Sequence, residues 1–75
     1  MKKFVVAYQN LVDSNDVTHK FVMYESSGGF SFTLDEKSLD RSYSPHGYKN
    51  AMAFFRDVCD DVEHLDSMVE FLNGE

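Results

Sequence analysis

The sequence predicts an α+β domain in which a three-stranded antiparallel β-meander precedes two C-terminal helices (βββαα) packed on one sheet face. Two patterns predict it: apolar and polar residues alternate through the first half of the chain, and apolar residues recur at helical spacing in the last third. With 75 residues and 43% hydrophobic content, the chain suits one small folded domain, residues 1–75.

Three segments have the composition of strands. Residues 2–10 are rich in β-branched and aromatic side chains, and residues 17–25 alternate between two faces. Residues 30–34 alternate most regularly, with their aromatic and leucine side chains predicted to face inward. Turn-forming residues separate the segments at 13–16 and 26–29, so the strands are expected to follow one another as hairpins.

A long connection and a helix are predicted next. Residues 35–48 have no clear period and are expected to form a loop. Ser44 followed by Pro45 suits a helix N-cap and first helical position. From Tyr48 the apolar residues recur at helical spacing as far as Val62.

The C-terminal segment predicts a second helix at an angle to the first. Its apolar stripe, Leu65–Leu72, is rotated by roughly a quarter turn from the stripe of the first helix. One straight helix cannot bury both stripes. A break is therefore predicted near residues 63–66, with Asp66 or a neighbour as the cap and Gly74 at the helix end.

Charge is concentrated at the C-terminal end. The net charge is −6, and residues 57–75 hold seven carboxylates and no Lys or Arg. This field would repel nucleic acid and anionic membranes and attract basic surfaces. The apolar stretch after Lys2 and Lys3 is too short for a secretory signal, and no segment approaches a membrane span. With one cysteine and no internal disulfide, a cytoplasmic location is expected.

No group of residues favours an enzyme. The acidic turn at 13–16 lacks the glycine and glutamate that a calcium loop needs at later positions. The three histidines fall in separate segments, so neither a metal nor a cofactor is expected. Cys59 lies on an apolar stripe, and Ser44 suits a cap better than a nucleophile. So short a chain leaves little room for a closed pocket.

Docking on a basic protein is the function that the sequence favours most. Carboxylates on a rigid helix can stand in for phosphates, so a nucleic-acid-binding protein is a suitable partner and direct nucleic-acid binding is not expected. The loop adds residue types common in binding hot spots. The predicted contact residues are Asp57, Asp60, Asp61, Glu63, Asp66 and Glu70 on the helices and Arg41, Tyr43 and His46 in the loop.

In size, charge and βββαα order the chain resembles small inhibitors encoded by bacteriophages and mobile elements, such as anti-restriction and anti-CRISPR proteins. That resemblance implies an inhibitory role and assigns it to no particular residues. The alternative is a homo-oligomeric structural or assembly module. A small domain has a thin core, and the uncovered sheet face would gain stability from self-association, for example as a homodimer. Convergence of the carboxylates on one surface would favour docking over this alternative.

Overall fold

A four-stranded antiparallel sheet carries two helices in the computed structural model, which describes residues 2–74. The strands lie in chain order, each paired with the next, so the sheet is a simple meander. The predicted α+β class, antiparallel sheet and two C-terminal helices are confirmed, but the sheet has four strands rather than the predicted three, so the predicted βββαα order is wrong in this detail. The elements are β1 Phe4–Val12, β2 Thr18–Ser26, β3 Gly29–Leu34, β4 Lys37–Tyr43, α1 Tyr48–Asp60 and α2 Val62–Asn73.

The first three strands form the predicted hairpins. Phe30, Phe32 and Leu34 of β3 are all buried, as their alternation predicts. Gly29, at the start of β3, has a φ of 123°, a backbone conformation that side chains rarely allow. A Cβ at this position would also run into the carbonyl oxygen of Tyr43 at the end of β4. Gly29 therefore permits the close approach of the two strand ends.

The predicted loop at 35–48 is wrong in part, because residues 37–43 form a fourth strand, β4. Asp35 and Glu36 both have left-handed backbone, with φ of 52° and 69°, and they form the two-residue turn that joins β3 to β4. Such turns usually contain glycine, so the Asp-Glu sequence gives no hairpin signal. The Asp35 side chain stabilises this glycine-free turn by bonding to β2, where its Oδ1 accepts from the Lys20 backbone N–H at 2.9 Å.

The first helix begins later than predicted. Ser44 is not its N-cap; Gly47 occupies that position and α1 starts at Tyr48. Ser44 instead opens a tight turn, in which its carbonyl accepts from the Gly47 N–H at 2.9 Å. Serine first, proline second and glycine fourth is the preferred composition of a type I turn. Ser44 and Pro45 therefore form this turn and, contrary to the sequence prediction, do not begin the helix.

The predicted break between the helices exists, but it lies at Asp61 rather than at residues 63–66. Asp61 is extended, with φ −128° and ψ 102°, and is the only residue between α1 and α2. Its carboxylate caps α2 by accepting from the Glu63 backbone N–H at 3.0 Å. The rotation between the apolar stripes predicts a break between the helices. It does not fix the position of the break, because several nearby acidic residues could have capped the second helix. Asp66 lies inside α2, so its predicted capping role is wrong.

Aromatic side chains join the helices to one face of the sheet. The Phe21 ring stacks on Phe55, with centroids 4.8 Å apart, and Phe32 meets Phe54 edge-on at the same distance. Such ring pairs add to the stabilisation that burial alone provides. The buried core comprises Leu11, Phe21, Met23, Phe30, Phe32, Leu34, Ala51, Phe55, Val58 and Leu65.

The opposite sheet face carries no helix among the described residues. Val22 lies outside the core cluster and is nevertheless buried, between cross-strand neighbours Tyr8 on β1 and Thr33 on β3. Large apolar side chains of β1 remain exposed along this face. Within residues 2–74, neither helix has the length and hydrophobicity that crossing a membrane would require.

Candidate partner-binding surface

The predicted acidic residues gather around the helix junction and along one side of α2. Asp60, Asp61 and Glu63 are exposed at the junction. Residues three and four apart share a side of a helix, so Glu63, Asp66 and Glu70 form one row along α2. We call these five residues, Asp60, Asp61, Glu63, Asp66 and Glu70, the acidic surface. The sixth predicted carboxylate, Asp57, has a different environment.

Asp57 is paired within the protein. Its Oδ2 lies 2.8 Å from Nδ1 of His64, so the pair links the end of α1 to the first turn of α2. The His64 ring also meets Phe54 edge-on, with centroids 5.6 Å apart. Asp57 therefore helps to fix the angle between the helices, in addition to being exposed enough to meet a partner.

Asp66 anchors the row to the sheet. Its Oδ1 accepts a hydrogen bond from the backbone N–H of Ser14 at 3.0 Å, in the turn between β1 and β2. The side chain is half-buried, whereas Glu63 and Glu70 on the same side of α2 are exposed. The acidic surface is therefore held at both ends, by the Asp61 cap at the junction and by Asp66 at the turn.

Two of the predicted loop residues meet on β4, away from the acidic row. The Arg41 guanidinium lies 4.7 Å from the centroid of the Phe54 ring and donates to the Tyr43 hydroxyl at 3.1 Å. The Tyr43 ring packs edge-on against Phe32 and is half-buried. Arg41 and Tyr43 thus hold β4 against α1, which is a structural reason for residue types that the sequence suggested for binding. His46 is separate from them, exposed in the turn before α1.

A shallow cleft separates β4 from the helices beside Arg41. Its volume is about 340 Å³. Phe71 of α2 is 60% exposed at its edge, and His64 contributes its ring. The complete lining is Leu39, Asp40, Arg41, Phe54, His64, Ser67, Met68 and Phe71. The lining combines apolar walls with the guanidinium of Arg41, the imidazole of His64 and the carboxylate of Asp40.

An Asp–His–Asp cluster at one end of the sheet, in which Asp13 and His19 are buried and Asp35 is exposed, is the feature that sequence reasoning missed. Nε2 of His19 lies 2.7 Å from Oδ2 of Asp13, and Nδ1 lies 2.6 Å from Oδ2 of Asp35. Asp13 also accepts from the backbone N–H groups of Asn15 and Val17, which confirms the predicted turn. The available signal was the position of His19 on the inward face of β2, among apolar residues.

The charges of this cluster support one another. Burial lowers the pKa of His19, but hydrogen bonds to Asp13 and Asp35 outweigh it and raise that pKa above its usual value. The hydrogen bond from His19 is the main reason that the pKa of Asp13 is lowered. For Asp35, burial opposes the change, yet bonds from His19 and from the Lys20 N–H lower its pKa. When His19 is protonated, it donates to both carboxylates, and the three side chains then form an internal ionic network.

The side chain of His19 is fully engaged inside the protein. Both ring nitrogens of His19 face carboxylates, so neither is free to accept a proton from a substrate. Within residues 2–74, no group of three or more His, Cys, Asp or Glu side chains is placed to hold a metal ion. The cluster instead fastens the β1–β2 turn and the β3–β4 turn to β2.

Cys59 is similarly unsuited to act as a nucleophile. Burial, and then the neighbouring Asp60 carboxylate, raise the pKa of its thiol. The side chain packs against the core cluster as a small hydrophobic residue, in agreement with its place on the apolar stripe.

Comparisons of the chain with protein-family models, with curated proteins and with solved structures found no match.

Proposed function

We propose that this protein is a non-enzymatic binding domain whose acidic surface docks on a basic protein. The observation that carries the proposal is the exposure of Asp60, Asp61, Glu63 and Glu70 in a part of the chain, residues 57–74, without Lys or Arg. Exposed carboxylates with no basic side chains among them attract positively charged partners and speed their association. A solubilising role would not require them to gather around one junction and along one side of α2.

Internal contacts favour recognition by a fixed arrangement of charges. The Asp61 cap, the Asp57–His64 pair and the bond from Ser14 to Asp66 hold the helices that carry the carboxylates. A surface that is already ordered loses less conformational entropy when it binds. These contacts support the proposal that the carboxylates stand in for phosphates, because they hold the helices that carry them.

The class of partner follows from this chemistry. Surfaces that bind nucleic acid are among the most positively charged in proteins. A domain that covers such a surface blocks it, so we propose an inhibitor of a nucleic-acid-binding protein in the cytoplasm. Inhibitors of this type, encoded by phages and mobile elements against host defence, are the proteins that the chain resembles in size and charge.

The test compares two charge-matched variants. Asp60→Asn with Glu63→Gln removes two carboxylates from the acidic surface, and Glu25→Gln with Glu36→Gln removes two exposed carboxylates, one on β2 and one in the β3–β4 turn. Each immobilised protein is used to capture partners from a cell lysate, and the affinity of the main captured protein is then measured against salt concentration. We expect the first variant to bind roughly 5- to 30-fold more weakly, if each lost ion pair contributes about 0.5–1 kcal/mol.

The control variant should bind like the natural sequence. Binding should weaken as salt rises, and heparin, a polyanion, should displace the partner if its basic site is the one covered. Equal binding by both variants, or a captured protein that heparin and salt do not release, would contradict docking through the acidic surface.

A further inference from the structure

One edge of the sheet is an unprotected strand. β1 pairs with β2 on one side, and no strand within residues 2–74 pairs with its outer edge. The strand, FVVAYQNLV, contains no charged residue and no proline. Charged residues and proline are the usual means by which proteins prevent an edge strand from pairing with another chain. β1 has a register irregularity between Val5 and Ala7, which leaves residues 7–12 as its regular stretch.

The other edge strand provides the contrast. Both edge strands have a register irregularity, but β4 also carries Lys37, Asp40 and Arg41 in seven residues. Such charges are typical of an edge protected against association. The difference between the edges singles out β1.

Exposed apolar side chains are concentrated on the same strand. Of eight large apolar residues that are exposed in the described chain, four lie on β1. They are Phe4 at 63%, Val5 at 59%, Tyr8 at 60% and Val12 at 51% exposure. An exposed edge combined with an apolar surface marks a site for strand pairing.

Charges at the ends of β1 favour a second copy of this chain as the occupant. Lys2 and Lys3 precede the strand, and the turn that follows it carries the exposed carboxylate of Asp16. Antiparallel pairing about a two-fold axis brings the lysines of each copy beside the acidic turn of the other. The uncharged middle of the strand meets its own counterpart without repulsion. β1 therefore complements itself in both hydrogen bonding and charge.

We propose that the protein forms a two-fold symmetric homodimer in which the β1 strands of two copies pair antiparallel and join their sheets. The interaction uses the sheet edge, whereas the sequence had suggested association through the open face. It closes at two copies, because the remaining edges are the protected β4 strands. The dimer places both helical layers on the same face of one continuous sheet. It does not depend on docking of the acidic surface.

The test introduces the missing edge protection. Gln9→Lys with Asn10→Lys places two cations on exposed positions in the regular stretch of β1, near the proposed two-fold axis. Ser38→Lys with Ser42→Lys makes the same charge change on exposed positions of β4. Sedimentation equilibrium on the full chain measures the dimer dissociation constant, and circular dichroism checks that each variant is folded. We expect the β1 variant to raise that constant at least tenfold and the β4 variant to leave it unchanged.

Hydrogen exchange of the natural sequence gives a second measurement that needs no variant. The outward backbone amides of residues 7–12 should become more protected as protein concentration rises. A protein that remains monomeric at high micromolar concentration overturns the proposal. A dimer that survives the β1 substitutions, or that the β4 substitutions disrupt equally, also overturns it.

Discussion

Carboxylates have opposite environments in two regions of this molecule. In the Asp–His–Asp cluster, Asp13 and Asp35 use their oxygens to accept from His19 and from backbone N–H groups. On the acidic surface, Asp60 and Glu63 are exposed at the helix junction. The comparison teaches that net charge by itself does not locate a binding surface. Carboxylates that already accept hydrogen bonds within the fold, such as Asp13 and Asp35, are structural, and exposed carboxylates outside such contacts are available to a partner.

The largest effect is expected from breaking the cluster. His19→Gln replaces a ring that donates to two carboxylates by an amide whose oxygen must face one of them. Leaving a buried polar group unsatisfied costs about 1–3 kcal/mol, and we expect a loss of this size in the free energy of unfolding. Urea denaturation measures it. His46→Gln, the same change at an exposed histidine, is the control and should have little effect.

The same variant should change how stability depends on pH. The raised pKa of His19 means that its contribution is complete below the unfolded value of 6.5 and is lost as pH rises through the folded pKa. Asp13 and Asp35 have lowered pKa values, so their contribution is present above 3.8 and is lost as pH falls through the folded pKa. The natural protein should be most stable between these limits, and His19→Gln should abolish the alkaline decline. An identical decline in both proteins would show that His19 is not its cause.

Much of this architecture was predictable from the chain, and the exceptions share a cause. Composition identified the first strand, alternation identified the second and third, and helical spacing identified both helices. β4 was missed because the Asp35–Glu36 turn lacks glycine and is stabilised by a long-range bond from Asp35 to β2. The role of His19 was missed for the same reason, since it depends on residues that approach only in the folded sheet. Local patterns cannot reveal such contacts.

The number of carboxylates near the C-terminus could be predicted from the sequence, but their arrangement on the folded surface could not. The count of carboxylates in residues 57–75 was evident, and so was the need for a break. Which residue capped the second helix depended on competition among nearby acids. Asp61 serves as the cap, Asp66 bonds to Ser14 and Asp57 pairs with His64, so three of the six predicted acidic contact residues also have structural roles.

An intermediate effect is expected at Asp61, which belongs to the acidic surface and also supports the fold. Asp61→Ala removes the cap on α2 and should lower the free energy of unfolding by about 1 kcal/mol. Asp61→Asn keeps a capping oxygen and should be nearly neutral. Thermal and urea unfolding distinguish the two variants. Equal losses from both would mean that the charge of Asp61, rather than its cap, stabilises the helix junction.

The smallest effect on stability is expected at Asp60. Substitutions at Asp60 and Asp13 compare the acidic surface with the Asp–His–Asp cluster directly. Asp60→Asn should change the free energy of unfolding by less than about 0.5 kcal/mol, since the side chain is exposed. The change should be slightly stabilising, because Asp60 adjoins Asp61 and removing one of two neighbouring like charges relieves repulsion. Asp13→Asn, the same substitution in the Asp–His–Asp cluster, should clearly lower the urea midpoint, because the bond to His19 loses its ionic character. Similar losses at the two positions would mean that the acidic surface is as structural as the cluster, and would remove the reason for assigning it to a partner.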